Sequence, residues 1–292
     1  MLFIPITIMA ATFQVGRNAT QRSLMGGGGP WAATLVRFLY GIPFTAVFLA
    51  IAWAIWPSAH LTFRPFFWGA AAVGGAAQIG ATAALLSSMH RSSFALGTAF
   101  QQSLLPFTSL IGYFVFGDVL AFHTALGIAV VTAGVAVLSW PKEGVKGDWS
   151  GAFFGLLAGF CFAISNNAFR QAGLSLGHAP AALAGITTVL VVQSLQTLGL
   201  SAVLALLQRQ SLIAALTSWR QSFRAGFFGA AASACWFTAL AMAPAGPVRA
   251  VGVVEMPLAA FAGRRLFSEK LSPLQWIAGT ITALGVVLAA VA

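Results

Sequence analysis

Charged residues are scarce in this sequence. Of its 292 residues, 15 are Lys or Arg and 5 are Asp or Glu, so that 7% are charged, whereas a soluble domain carries about 25%. The chain therefore lacks the mixed-charge exterior that keeps globular proteins dispersed. This scarcity excludes a soluble enzyme, and five acidic residues offer few paired carboxylates for acid–base chemistry.

Motifs that bind nucleotides or metals are also missing. The sequence has no GxxxxGK[ST] phosphate-binding loop and no HExxH zinc site. Its two cysteines, Cys161 and Cys235, lie inside apolar runs without metal-ligand spacing. We therefore expect no enzymatic activity, no catalytic residues, no metal and no cofactor. The net charge of +10 does not indicate nucleic acid, because the basic residues lie mostly between apolar runs.

Long apolar runs are what the sequence has in abundance. Hydrophobic residues make up 59% of it, and the mean hydropathy is +0.89. A helix needs about 20 apolar residues to cross a bilayer, and these Ala- and Leu-rich runs lack the alternation of outer-membrane strands. We predict an all-α, multi-pass membrane protein with about ten transmembrane helices, at residues 2–24, 31–56, 65–89, 93–116, 120–140, 150–174, 180–207, 224–243, 247–267 and 272–291.

The second half of the sequence repeats features of the first. A shift of 151 residues, without a gap, superposes Pro106 on Pro257, Gly112 on Gly263, Phe116 on Phe267, Asp118 on Glu269, Leu120 on Leu271, Gly134 on Gly285 and Val135 on Val286. The repeat unit then holds five helices, and an odd number forces the second copy to enter the membrane from the opposite side. We predict two inverted five-helix repeats, residues 1–141 and 142–292, with a site at their interface.

The paired segments resemble the repeats of a known transporter family. Residues 99–140 end in FGDVLAFHTALGIAVVTAGVAVLSW, and residues 250–292 end in FSEKLSPLQWIAGTITALGVVLAAVA. Each has a short acidic turn before a Gly-containing last helix, and Arg37-Phe38 is similar to that family's early R-F helix. These features resemble the EamA repeats of the drug/metabolite transporter superfamily, although Asp118 stands where the family usually has Glu. The resemblance implies a ten-helix carrier, usually an exporter of amino acids or other small metabolites.

Polar residues form stripes on two predicted spans that the repeat relates. Within an arc of about 100° on the first span lie Thr7, Gln14, Arg17, Asn18 and Gln21. The matching stripe on the sixth span consists of Asn166, Asn167 and Arg170. Such stripes could line a cavity and offer guanidinium and amide donors to a substrate carboxylate or phosphate. Alternatively, Arg17 and Arg170 could lie at span ends and extend to lipid headgroups.

The ninth predicted span contains Arg249 and Glu255, and ionisable groups inside a membrane are costly enough to invite a functional explanation. Their separation places them about 120° apart around a helix, so each needs another partner. Glu255 is the carboxylate placed well inside a span. It could take up and release a proton during transport, or form a static ion pair with Arg17, Arg37 or the surroundings of Arg249.

Other polar residues on central spans are further candidates for lining a cavity, namely Gln78, one turn before Thr82, then Gln101, Gln102 and Trp236. Amides in such positions also serve as interhelical hydrogen bonds. A ridge of small residues on the sixth span, Gly151, Gly155 and Gly159, predicts close helix packing rather than chemistry.

The predicted function is secondary transport by alternating access around a central polar cavity. We expect a small-molecule substrate, the lipid bilayer as the surrounding partner, and the inner membrane of a bacterium as the location. Two alternatives stay open. A lipid-linked sugar flippase predicts a cavity open laterally to lipid, and a non-transporting structural membrane subunit predicts no accessible cavity.

The orientation of the chain is predicted differently by its charges and by the resemblance. Connections after odd-numbered spans hold Arg17, Arg22, Arg91, Lys142, Lys146, Arg209, Arg220, Arg224, Arg264, Arg265 and Lys270, and those after even-numbered spans hold Arg64, Arg170 and Arg249. The positive-inside rule then places both termini outside the cytoplasm. Carriers of the resembled family usually keep both termini in the cytoplasm.

Overall fold

The computed structural model describes residues 2–117, 122–139, 149–269 and 272–290. In these residues the chain is all-α. Its helices, in chain order, are α1 (Phe3–Leu24), α2 (Gly29–Leu39), α3 (Ile42–Ile55), α4 (Pro65–Arg91), α5 (Phe94–Gln101), α6 (Leu104–Phe116), α7 (Phe122–Ser139), α8 (Ser150–Leu174), α9 (Ala181–Leu207), α10 (Arg209–Thr217), α11 (Trp219–Met242), α12 (Ala245–Val251), α13 (Glu255–Phe267) and α14 (Pro273–Ala290). Single turns of 3₁₀ helix lie at Met25–Gly27 and Gly252–Val254.

Five helical segments of the described residues are long and apolar enough to cross a membrane. They are Gly29–Ile55, which contains α2 and α3, and the helices α4, α8, α9 and α11. The prediction of a multi-pass, all-α membrane protein is confirmed. The short helix α10 was not predicted, and α11 begins at Trp219 rather than near residue 224. The repeat boundary predicted between residues 141 and 142, and the repeat positions Asp118, Leu120 and Leu271, lie outside the described residues.

Proline marks the beginning of several helices. Pro30, Pro43, Pro65 and Pro273 each lie at one of the first two positions of their helix, where the missing N–H would have no intrahelical acceptor in any case. The end of α6 depends on Gly117, whose φ of 70° closes the helix in the left-handed region. Helix boundaries are therefore encoded largely by local backbone chemistry.

The predicted spans 93–116 and 247–267 are each broken near the middle, which corrects the expectation of continuous helices. The first divides into α5 and α6 at residues 102–103, and the second divides into α12 and α13 at Gly252–Val254. Pro106 and Pro257 are the third residues of α6 and α13. Because proline has no N–H for the carbonyl four residues earlier and its ring clashes with that carbonyl, each proline disrupts the helix at the observed break.

The helices pack in pairs. α1 packs along α11, α4 along α8, and α7 along α14. The four pieces of the broken spans also contact one another, α5 with α13 and α6 with α12. In addition, α6 packs on α8 and α13 packs on α1. The broken segments are thereby held between α1 and α8.

The predicted glycine ridge of α8 packs against the break between α5 and α6. A Cβ added to Gly159 would lie 2.9 Å from the backbone nitrogen of Leu104 and would clash with the hydroxyl of Ser103. A Cβ on Gly155 would clash with the side chain of Phe100. These glycines allow the close approach that brings the break up to α8.

The two largest apolar cores of the described residues lie on opposite sides of a polar layer. On α1, Ala10 and Ala11 belong to one core, while Val15 and Ala19 belong to the other. On α4 the two cores contain Ala71 and Ala81 respectively, and on α8 they contain Phe169 and Phe162. The polar residues between these positions are Gln14, Gln78 and Asn166. The polar layer therefore crosses the bundle at the level where both cores end.

Candidate functional site

The polar stripe of α1 is buried, as predicted for a face that avoids lipid. Gln14, Arg17, Asn18 and Gln21 are each no more than 4% exposed. The alternative in which Arg17 extends to the headgroups is wrong, because the surrounding helices enclose its whole side chain. Arg249 is likewise buried, within α12. Neither arginine lies in a loop, so neither should be counted among the loop charges from which the positive-inside rule predicts the orientation of the chain.

Glu255 accepts hydrogen bonds from amides of α1. The Nε2 of Gln14 donates to its Oε2 at 2.7 Å, and the Nδ2 of Asn18 donates to its Oε1 at 3.4 Å. Asn18 in turn accepts from Arg17 through Nε at 3.1 Å and Nη2 at 2.7 Å. The amide of Asn18 therefore lies between the carboxylate of Glu255 and the guanidinium of Arg17.

The same network continues to Arg249 through an indole. The Nε1 of Trp236 donates to the Oε1 of Gln14 at 2.8 Å. The guanidinium of Arg249 lies over the Trp236 ring, 3.9 Å from its centroid, and also donates to the Oδ1 of Asn166. Five helices, α1, α8, α11, α12 and α13, are thus joined by one buried chain of polar contacts. Networks of this kind fix side-chain positions when their members are satisfied.

Arg37 was not predicted as a cavity residue, yet it lies in the same layer. Its Nη1 donates to Thr82 at 2.9 Å and its Nη2 to Ser233 at 3.5 Å. The signal for it in the sequence was its position well inside the second span, where an arginine is costly. Ser233 and Phe162 were not predicted either, and they lie one helical turn before the predicted site residues Trp236 and Asn166, respectively. Helical spacing from those predicted residues would have identified both.

These side chains enclose a small polar cavity. Its lining consists of Gln14, Arg17, Arg37, Gln78, Gln101, Phe162, Asn166, Ser233, Trp236, Phe237 and Arg249. The space open to the centre of a water molecule is about 10 Å³, which has room for about one water. Every lining residue is buried, so the cavity lies inside the bundle.

Several predicted site residues lie outside the lining of the polar cavity. Gln21 donates to the backbone carbonyl of Ala33 at 2.8 Å. Asn167 donates to the carbonyls of Ala163 at 3.0 Å and Thr108 at 3.4 Å. Arg170 is half-buried and does not line the cavity, whereas Gln102 lies beside Glu255. In the sixth span, only the first residue of the predicted stripe reaches the cavity.

A larger cavity of about 220 Å³ lies between α5, α13 and α14. Its walls are apolar side chains such as Leu96, Met256 and Trp276, with Thr280 as the polar member. Within the described parts of the chain no charged residue lines it, so it offers little to orient a polar ligand. The small polar cavity is therefore the candidate functional site.

Comparison with known proteins identifies the fold only. No protein-family profile matches the chain, and no curated protein matches it. Among solved structures, it is similar to one known simply as a crystal structure of a protein, with a TM-score of 0.65 and 16% sequence identity. The match covers 100% of this chain and 99% of that one. The whole chain thus adopts a fold that a crystal structure also contains.

Proposed function

We propose that this protein is a secondary transporter that moves a small polar metabolite through the cavity between its two apolar cores. The observation that carries the proposal is the burial of three arginines and Glu255 in a single layer at the middle of the bundle. Charges inside a membrane protein are expensive and usually mark a substrate or ion pathway. This expense favours a transporter over a purely structural subunit.

The arrangement of helices supports two inverted five-helix halves within a ten-helix carrier, residues 1–141 and 142–292. Exchange of the halves replaces each predicted span by the one five places away in the chain. It converts the contact of α1 with α11 into that of α8 with α4. It also converts the contact of α5 with α13 into that of α12 with α6, and the contact of α6 with α8 into that of α13 with α1. All of these contacts exist in the fold.

The breaks at Pro106 and Pro257 are the second support. In transporters with inverted repeats, discontinuous helices commonly form the binding site near the membrane centre. Here the two breaks are separated by the same 151 residues as the sequence repeat, and they bring Gln101 and Glu255 to the polar layer. These features also agree with membership of the EamA-type drug/metabolite transporters that the sequence resembles.

The small size of the cavity fits an occluded stage of alternating access. With room for about one water, it must widen before a metabolite can enter. Widening requires one apolar core to separate while the other stays packed. A flippase for lipid-linked sugars instead needs a cavity open to lipid, and the lining residues here are buried.

Transport of a metabolite panel by the purified protein in vesicles tests this function. We expect at least one solute to move, and Arg17→Ala to abolish its movement. Arg64→Gln is a matched control, because this arginine is exposed and lies at the end of a connection. If the wild type and Arg17→Ala behave identically towards every compound, the cavity is not a transport site. Movement of lipid-linked sugars alone would favour the flippase.

Topology has its own test. With ten crossings, both termini lie on one side, and the charge distribution places that side outside the cytoplasm. A reporter that fluoresces only in the cytoplasm, fused after Ala292, should stay dark, and a phosphatase active only outside should work at the same position. Bright cells would overturn the assignment from charge and favour the orientation usual in the resembled family.

A further inference from the structure

The polar cavity has an excess of positive charge. Arg17, Arg37 and Arg249 line it, whereas no acidic residue among those that the structure describes does. The nearest carboxylate, Glu255, lies outside the lining and compensates one of the three formal charges. Uncompensated guanidinium groups are costly inside a membrane protein. A ligand that brought negative charge would remove this cost.

Hydrogen-bond donors in the cavity also outnumber acceptors. Buried nitrogen atoms without a partner, among the lining residues, are Arg37 Nε, Arg249 Nε, Asn166 Nδ2 and Gln101 Nε2. The one unpartnered acceptor of this kind is Gln101 Oε1. The Oδ1 of Asn166 accepts a hydrogen bond from Arg249, and this bond fixes the orientation of the amide. The atom of the amide that is left without a partner is therefore the donor Nδ2. Four unpartnered donors suit an anion that accepts several hydrogen bonds.

A positively charged ammonium group finds no free charged partner among the described residues that line the cavity, where the unpartnered acceptor is the neutral Gln101 Oε1. Both oxygens of Glu255 already accept hydrogen bonds, from Gln14 and Asn18. The Trp236 ring, which could receive a cation on its face, is covered by the guanidinium of Arg249. The site therefore has guanidinium groups for a carboxylate and no free charged partner for the ammonium of a zwitterionic amino acid.

We infer that the cavity selects a small organic anion whose carboxylate is not accompanied by an ammonium group. This inference rests on the proposed transport function and narrows its substrate class. The carboxylate accepts hydrogen bonds from Arg37 and Arg249, with Gln101 and Asn166 as neutral donors. Phe162 and Phe237, which also line the cavity, provide apolar walls for the carbon skeleton.

Binding of matched solutes to the full-length protein tests the inference independently of transport. Succinate, aspartate and succinamide share a four-carbon skeleton, and aspartate differs from succinate by its ammonium group. Isothermal titration of the protein in detergent, with chloride as the background anion, should show succinate binding at least about tenfold more tightly than aspartate. Succinamide should not bind. Equal or tighter binding of aspartate, binding of succinamide, or no binding of succinate would each overturn the inference.

Two variants extend the test. Arg37→Gln should weaken succinate binding by about tenfold or more, while the exposed control Arg64→Gln should leave it unchanged. Asn166→Asp keeps the acceptor for Arg249 and places a carboxylate in the cavity lining, so that it should narrow or reverse the preference for succinate over aspartate. This second variant stays informative if Arg37→Gln fails to fold. An unchanged preference in Asn166→Asp would contradict the electrostatic argument.

Failure of the inference can be told apart from failure of the proposed function. If vesicles move neutral or zwitterionic solutes, and Arg17→Ala stops them, the protein is a carrier but does not select anions. If succinate binds with the expected preference and no anion crosses the membrane, the inferred class of ligand is correct and the proposed transport function is wrong.

Discussion

Two carboxylates of this protein are held in opposite ways. Glu269, just after α13, forms an ion pair with Arg22 at 2.5 Å, and it also accepts hydrogen bonds from the backbone nitrogens of Phe94 at 2.7 Å and Ala95 at 3.3 Å. Glu255, at the beginning of α13, has amides as its partners and no arginine within ion-pair distance. In the part of the chain that the structure describes, Arg22–Glu269 is the ion pair.

The difference indicates which contact is structural and which is available for function. Glu269 caps the first turn of α5, where a negative charge is favourable, and so joins α1, α5 and α13 through strong, direct contacts. Glu255 balances its arginines indirectly, through the neutral side chains of Gln14 and Asn18. A central charge without a direct ion pair is available to a ligand, whereas a directly paired peripheral charge stabilises the fold.

The largest expected effect comes from removing the central charge. Glu255→Gln should reduce transport by at least about tenfold, because loss of a buried, hydrogen-bonded charge costs about 2–5 kcal/mol. Flux into vesicles at several pH values measures it. If protons are coupled through Glu255, the variant also loses the pH dependence of flux. Unchanged rate and pH dependence would exclude coupling through this residue, and loss of folded protein would show that the charge is needed for stability.

A smaller effect is expected at the opposite end of the central network. Arg249→Lys keeps the charge but loses the planar group that stacks on Trp236 and bonds to Asn166. We expect about tenfold weaker substrate binding, with Arg64→Lys as the control. Equal binding in both variants would mean that only the charge of Arg249 matters.

Helix packing at the break beside the central layer gives a third test. Gly159→Ala places a methyl group against Ser103 and Leu104, and such overpacking costs about 1–3 kcal/mol. Thermal or denaturant unfolding in detergent measures the loss. Gly69→Ala on α4 is the control, because nothing lies within 4 Å of a Cβ added there. Equal stability of the two variants would show that α8 can move away from the break.

Sequence reasoning predicted the helices better than the site, for a physical reason. Apolar length and proline positions are local properties, so spans such as α4 and α8 followed directly from composition. The pairing of Pro106 with Pro257 was visible as a repeat, but the breaks they cause were not anticipated. The contacts of Gln21 and Asn167 with backbone carbonyls depend on tertiary packing, which helical periodicity does not encode. Arg37 was missed because it belonged to no polar stripe.

The smallest effect is expected at the peripheral carboxylate. Glu269→Gln removes the ion pair with Arg22 and weakens the bonds to the α5 backbone, so the free energy of unfolding should fall by about 1–2 kcal/mol. The pair is only partly exposed, with side chains 18% and 12% accessible, so high salt should screen it incompletely. Transport by the folded variant should stay within about twofold of the wild type, since Glu269 does not line the cavity. A loss of transport as large as that of Glu255→Gln, without a loss of stability, would instead make the ion pair a gate whose opening limits transport.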